Sequence, residues 1–259
     1  MSGRDEPLES LIQKGQFSQA IDLVRSVDHY REGENLVFTV LKAEQSAPEL
    51  VEAVLEAFLA TRENCYQQHG GWVHSLSHFT KRLWKRRMDS WIKRFNEVAF
   101  KGANELRDSN CSDRLVGDFV DCAQWDDDPA TFGLTPENLR WMKRDGYTQY
   151  WWARIEAGRF ESEEAFLRWK LHQPKMQTAF DYDAQTELVD TKRIQSLIQK
   201  LQELGADTSE FAGFEESLLT KQLADLEAEL PATKEDWKVE RLKKGIEKTH
   251  MALAQLTQS

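Results

Sequence analysis

Apolar residues recur three and four positions apart along most of this chain, and runs that alternate apolar and polar hardly occur. Three-and-four spacing lines up on one stripe of a 3.6-residue helix, whereas a half-buried strand needs a period of two. The expected fold is therefore all-α: a multi-helix N-terminal region and a Trp-rich central region, followed by a C-terminal coiled-coil-like helical bundle. Six prolines and thirteen glycines in 259 residues leave room for short loops only.

Punctuation refines that picture. Leu8, Leu11 and Ile12, then Ala20, Ile21 and Val24, read as two short helices parted at Gly15. Ser46-Ala-Pro-Glu49 is a helix start, with Ser46 as cap and Pro48 in the first turn. Leu50, Val51, Val54, Leu55, Phe58 and Leu59 then make the broad apolar face of a buried helix. A long helix is expected from about Val73 to Lys101, with Trp84, Met88, Trp91, Phe95 and Val98 on one stripe. Residues 126–136 read as a loop, with a helix starting at Thr135-Pro136-Glu137. Gly146 and Gly158 punctuate two further helices, the last closed by Pro174.

From about Thr186 the texture changes. Ile194, Leu197, Leu201 and Leu204 follow 3-4-3 spacing; Phe211, Phe214, Leu218, Leu226 and Leu230 continue it. Val239, Leu242, Ile246, Thr249, Leu253 and Leu256 repeat it with a single polar member. These are coiled-coil spacings, but three short helices suit a hairpin or three-helix bundle better than a rod. The expected regions are 1–71, 72–180 and 181–259, and residues 1–180 also suit one domain.

Charge is unevenly spread within a net −10. Residues 72–107 hold nine Lys and Arg against three Asp and Glu, whereas residues 108–137 hold one against eight. Two readings follow: a basic stripe that binds an anionic partner, or neighbouring blocks of opposite sign that pair within the fold. No apolar run reaches the roughly 20 residues that span a bilayer, and the N-terminal residues lack the pattern of a signal peptide. Cys65, Cys111 and Cys122 lack framework spacing, which points to free thiols and a cytoplasmic setting.

Four constellations bear on chemistry. Cys65, His69, His74 and His78 form two i,i+4 pairs around Gly70-Gly71, a ligand set suited to tetrahedral zinc; the competing reading is an ordinary polar turn. The segment 81–95 carries Lys81, Arg82, Lys85, Arg86, Arg87, Lys93 and Arg94, with Arg82, Arg86 and Lys93 expected opposite the aromatic stripe. Such a face suits phosphates or an acidic protein surface. Eight of nine tryptophans fall between Trp72 and Trp169. Aromatics interleaved with Arg140, Lys143, Arg144 and Arg154 can stack bases or build a core. Because Tyr150-Trp151-Trp152 covers more than half a helix circumference, at least one of these rings is expected to meet a second surface, with Trp151 and Trp152 the candidates for partner binding. Asp113, Asp118, Asp121 and Asp126–Asp128 supply carboxylates, but no phosphate loop, nucleophile elbow or HExxH stands beside them.

Taken together the residues point to a non-enzymatic helical interaction protein with a protein partner and no required cofactor. A nucleic-acid accessory protein using the basic helix 81–95 is the alternative, and a metal-dependent enzyme on the Cys/His cluster comes third.

Overall fold

Helices follow the apolar stripes closely. The computed structural model describes residues 7–26, 33–43, 47–63, 79–106 and 109–256. The first helices are α1 (Leu8–Gln13), α2 (Phe17–Ser26), α3 (Gly33–Lys42) and α4 (Pro48–Glu63). Gly15, at a φ of 68°, parts α1 from α2. The six apolar residues that α4 presents are all buried. Ser46 and the Cys65/His69/His74/His78 cluster lie outside the described residues.

The expected helix over Val73–Lys101 is interrupted. Residues 79–85 form α5, the chain turns at Arg86 and Arg87, and α6 runs Asp89–Leu106. Arg87 adopts a φ of 52°, a left-handed conformation that a residue with a Cβ enters only at a cost. Most of the stripe survives the break: Trp84, Trp91, Phe95 and Val98 are buried in one core with Phe58, Phe79 and Phe119, while Met88, at the break, is only partly buried against it.

Then follow α7 (Ser109–Cys122), a 3₁₀ turn at Pro129–Phe132, and α8 (Gly146–Ala157). Residues 136–141 are turns rather than the helix expected after Thr135. These elements make one compact unit ending at Arg159; a second begins at Phe160. The texture change near residue 186 does not coincide with that division. Leu167 and Leu171 of α9 (Glu163–Leu171) pack on Ile194, Leu197 and Leu201 of α11 (Thr191–Glu203), so the second unit starts earlier.

The second unit also holds α10 (Pro174–Gln177), a β-hairpin of β1 (Thr178–Asp181) and β2 (Thr186–Val189), α12 (Phe214–Glu229) and α13 (Asp236–Leu256). The strands are antiparallel, with Thr178 opposite Val189 and Asp181 opposite Thr186. The hairpin was not expected from the sequence, and each of its flanks carries a side-chain contact from a helix. Gln222 of α12 lies along β2: its Oε1 accepts from the Val189 N–H at 3.0 Å and its Nε2 donates to the Glu187 carbonyl at 3.2 Å. Arg193 of α11 donates to the Thr178 carbonyl of β1 at 3.1 Å.

The apolar seam of this unit is partly as expected. On α13 the buried residues are Leu242, Gly245 and Thr249. Gly245 lies against both α12 and β2: a Cβ there would stand in ordinary contact with Leu226 Cδ1 at 3.4 Å and Thr186 Cγ2 at 3.6 Å. Thr249 donates to the Gly245 carbonyl at 2.8 Å, which satisfies the one polar group on the seam. Leu204 departs from the expectation. It follows the last turn of α11, is 49% exposed, and contributes little to the core.

That contrast is testable. Leu201→Ala should cost about 2–5 kcal/mol, the usual range for emptying a fully buried leucine site. Leu204→Ala, in spite of the same heptad pattern, should stay within about 0.5 kcal/mol of the parent. Urea unfolding of the two variants reads the difference directly; equal losses would place Leu204 in the core.

Candidate functional site

The basic segment 81–95 has its charges largely engaged inside the first unit. Arg86 turns back onto α3 and donates to the Leu41 and Ala43 carbonyls, both at 2.9 Å. It thereby satisfies carbonyls at a helix C-terminus that have no partner within the helix. Arg87 grips Asp127 with two hydrogen bonds of 2.8 Å and reaches Asp89 at 3.0 Å. Arg94 forks onto Glu56 of α4, holding that carboxyl below its ordinary range.

The remaining basic residues are held more loosely. Lys81 lies 3.6 Å from Asp121, and Lys93 lies 4.0 Å from Glu97. Arg82 stands over the Phe38 ring at 4.3 Å. Lys85 is exposed and has no ion-pair partner among the described residues. Lys81–Asp121 and Arg87–Asp127 join the basic block to the acidic block that follows it, and Arg94–Glu56 ties it to α4.

The carboxylate loop is organised by burial. Asp127 is 7% exposed, and its Oδ2 also accepts from the Gln124 N–H at 2.7 Å. Burial works to raise its pKa, but the hydrogen bonds from Arg87 and the Gln124 backbone, with the Arg87 charge, hold it below the usual aspartate range. Behind it lies Arg154 of α8, only 1% exposed. Its guanidinium donates to the Gly158 carbonyl at 2.5 Å and to the Gln124 and Asp127 carbonyls at 3.3 Å each. It also sits 4.8 Å from the Phe119 ring centroid. Desolvation lowers its pKa, yet an arginine starts so high that it stays charged. A residue that looked available for stacking bases is a structural post.

Trp151 and Trp152, adjacent in sequence, have different fates. Trp152 is a core residue, donating from Nε1 to the Lys143 carbonyl at 3.1 Å under the Arg144 guanidinium. Trp151 is half-buried and walls an open cleft of about 370 Å³ with Lys81, Asp113, Arg114, Gly117, Asp118 and Asp121. The indole lies against α7 at Gly117, where a Cβ would stand 3.4 Å from Trp151 Cζ2, an ordinary contact. Asp118 accepts from the Thr80 hydroxyl. Burial pushes the nearby Cys122 thiol up, with Asp118 adding to the effect. Among the described residues no group of three or more His, Cys, Asp and Glu is arranged to hold a metal ion.

Large apolar side chains left in water concentrate elsewhere. Of seven among the described residues, Phe180, Tyr182, Leu204, Trp237 and Met251 lie in the second unit. Phe180 and Tyr182 meet edge to face at the hairpin tip, with centroids 5.3 Å apart and Tyr182 82% exposed. The tip is held to α13 by charge. Lys248 contacts both Asp181 oxygens at 2.8 and 2.9 Å and Asp183 at 3.1 Å, and Lys244 reaches Asp183 at 3.4 Å. Backbone N–H groups at the turn, chiefly that of Ala184, and Lys248 hold the Asp181 carboxyl low; Lys248 and Lys244 do the same for Asp183. An exposed aromatic pair was not anticipated at the tip. The signal lay in Thr178–Asp181 and Thr186–Val189, two four-residue runs flanking Tyr-Asp-Ala-Gln, too short to stand out beside helical stripes.

The class the structure defines is an all-α protein of two helical units, with a small hairpin set on the second. No protein-family model, curated protein or solved structure matches the chain. Among the described residues, no helix is long and apolar enough to cross a membrane.

Arg154 and Asp127 give the sharpest test of the first unit. Arg154→Lys keeps the charge but cannot serve three carbonyls in one plane, so it should destabilise nearly as much as Arg154→Met, by about 2–4 kcal/mol. The Arg87–Asp127 contribution is present above the ordinary aspartate pKa of about 3.9 and is lost as pH falls through the lower folded-state value. Asp127→Asn should therefore flatten the acid limb of stability against pH. An unchanged limb in a pH series of urea midpoints would deny the pair that role.

Proposed function

We propose that this chain is a non-enzymatic helical interaction protein, an adaptor or assembly subunit, whose second unit docks a protein partner. The observation that supports this most is the concentration of exposed large apolar side chains on that unit, led by Phe180 and Tyr182 at the hairpin tip. Aromatics of this kind are enriched at the centres of protein interfaces, where each ring buries a large area with few rotamers to fix. Their mounting favours the reading too. The Asp181 and Asp183 contacts to Lys248 and Lys244 set the tip against a long helix, so little ordering remains to be done on binding.

The nucleic-acid alternative draws less support. Arg86, Arg87 and Arg94 serve carbonyls and carboxylates of the first unit, and phosphate would have to displace those partners. Lys85 and the exposed Lys81 and Lys93 make a thin electrostatic face for an acidic chain.

The test is affinity capture from a cell extract with the full chain, with and without nuclease, beside a Phe180→Ser/Tyr182→Ser variant and a Lys81→Glu/Lys85→Glu/Lys93→Glu variant. The hairpin variant should lose the captured protein by tenfold or more while melting like the parent, and the lysine variant should retain it. Capture that vanishes with nuclease or with the lysine changes, and survives the hairpin changes, would replace this reading with nucleic-acid association.

A further inference from the structure

The first turns of α13 carry an arrangement that packing does not require. Trp237 is 57% exposed, and both Lys238 Nζ and the Arg241 guanidinium lie 5.3 Å from its ring centroid. Lys238 and Arg241 also line a cavity of about 200 Å³, completed by the buried Leu242, by Thr186 of β2 and by Glu229 at the end of α12. The two cations differ in how they are engaged. Lys238 is paired with Glu235 at 3.2 Å, an exposed contact one turn away. Arg241 is half-buried, yet among the described residues neither a carboxylate nor a carbonyl accepts from its guanidinium. On the same helix Lys244 and Lys248 are both taken up by Asp181 and Asp183.

A guanidinium stacked on an indole keeps its in-plane N–H groups available, and their fork matches the two oxygens of a carboxylate. Three features select the occupant. The cavity is smaller than the roughly 300–1,000 Å³ typical of small-molecule sites, so it suits one side chain of a larger partner. Its lining cations are Lys238, already paired with Glu235, and Arg241, so a single guanidinium is left to receive an anion, which suits one carboxylate rather than a run of phosphodiesters. Trp237 offers an exposed ring beside the cations, where an apolar neighbour of the acidic residue gains contact area.

We infer that this cavity receives an Asp or Glu side chain from an acidic segment of a partner protein, with Arg241 as the carboxylate fork and Trp237 as the platform for an adjoining apolar residue. The inference rests on the interaction-protein reading and adds to it the chemistry of the partner.

The probe is a library of short random peptides displayed on phage and selected on the full chain, alongside Arg241→Glu, Arg241→Lys and Trp237→Ala. The parent should enrich peptides with Asp or Glu next to a large apolar residue. Arg241→Glu should weaken those peptides by about tenfold or more and turn selection toward Lys and Arg. Arg241→Lys should fall between the two, because it keeps the charge and loses the fork. Trp237 is an exposed residue, so Trp237→Ala should keep the parent's circular dichroism while weakening the same peptides severalfold; it carries the test if Arg241→Glu misfolds. Enriched peptides without acidic residues, affinities unmoved by the Arg241 and Trp237 changes, or Arg241-dependent binding of an RNA oligonucleotide in place of acidic peptides would each overturn the inference. If the Phe180/Tyr182 variant loses its captured partner while Arg241→Glu keeps it, this site is wrong and the interaction reading stands. If both variants keep every captured protein, docking through the second unit fails along with this site.

Discussion

A guanidinium taken out of water must find acceptors for its N–H groups, and in the first unit that demand falls on Arg154. It is met by backbone carbonyls at residues 124, 127 and 158 and by the face of Phe119. The chain between α7 and the 3₁₀ turn is thereby drawn onto α8. Asp127 then faces Arg87 across two hydrogen bonds, and Phe132 enters the core 4.5 Å from the Trp84 centroid, where Asn96 holds its carbonyl at 2.9 Å. The left-handed turn at Arg87 fits the same geometry, since its strain is offset by the bidentate contact that the turned side chain makes. A charged pair and a buried cation fix the path of a loop that has few apolar residues of its own.

The second unit solves a different problem. Its core is small, built mainly from α9, α11 and Phe211, while α12, α13 and the hairpin are joined to it through partly covered residues such as Phe214 and Leu218. Beside the apolar contact of α13 with Leu226 and Thr186 at Gly245, polar contacts make the remaining attachment: Gln222 to β2, and Lys248 and Lys244 to the hairpin turn. Such contacts leave apolar side chains in water, which is where the surfaces proposed for partner binding lie.

What the sequence made legible was whatever follows from periodicity. The α4 stripe, the split at Gly15 and the buried aromatics from Trp84 to Val98 all follow from apolar residues falling on one helical face. Three things escaped for physical reasons. Arg87 is an ordinary helix former, and its left-handed turn rests on the Met88 N–H to Leu83 carbonyl and Arg87 N–H to Trp84 carbonyl hydrogen bonds that close the helix, together with the distant contact to Asp127. Arg86 and Arg154 look like surface charges because the carbonyls that claim them lie 43 to 45 and 27 to 30 residues away in sequence. Leu204 fits the heptad pattern but follows the last turn of its helix, where continuing the pattern no longer means continuing the buried face. The candidate sites were less legible than the fold. Charge density marked the basic segment, yet density does not reveal which charges have partners, and the exposed tip of the hairpin has no periodic signature at all.

Gln222 has a consequence that reaches beyond its two hydrogen bonds. A two-stranded ribbon ordinarily offers a row of unsatisfied amides and carbonyls along each flank, a template on which further chains can add and grow into fibrous aggregates. Here a primary amide, donor and acceptor in one planar group, imitates the peptide that such a chain would bring, and an arginine from the helix on the other side takes up a carbonyl of β1. Side chains from helices already in place thus occupy part of each border of the ribbon, so a strand adding to either flank would first have to displace an amide or a guanidinium.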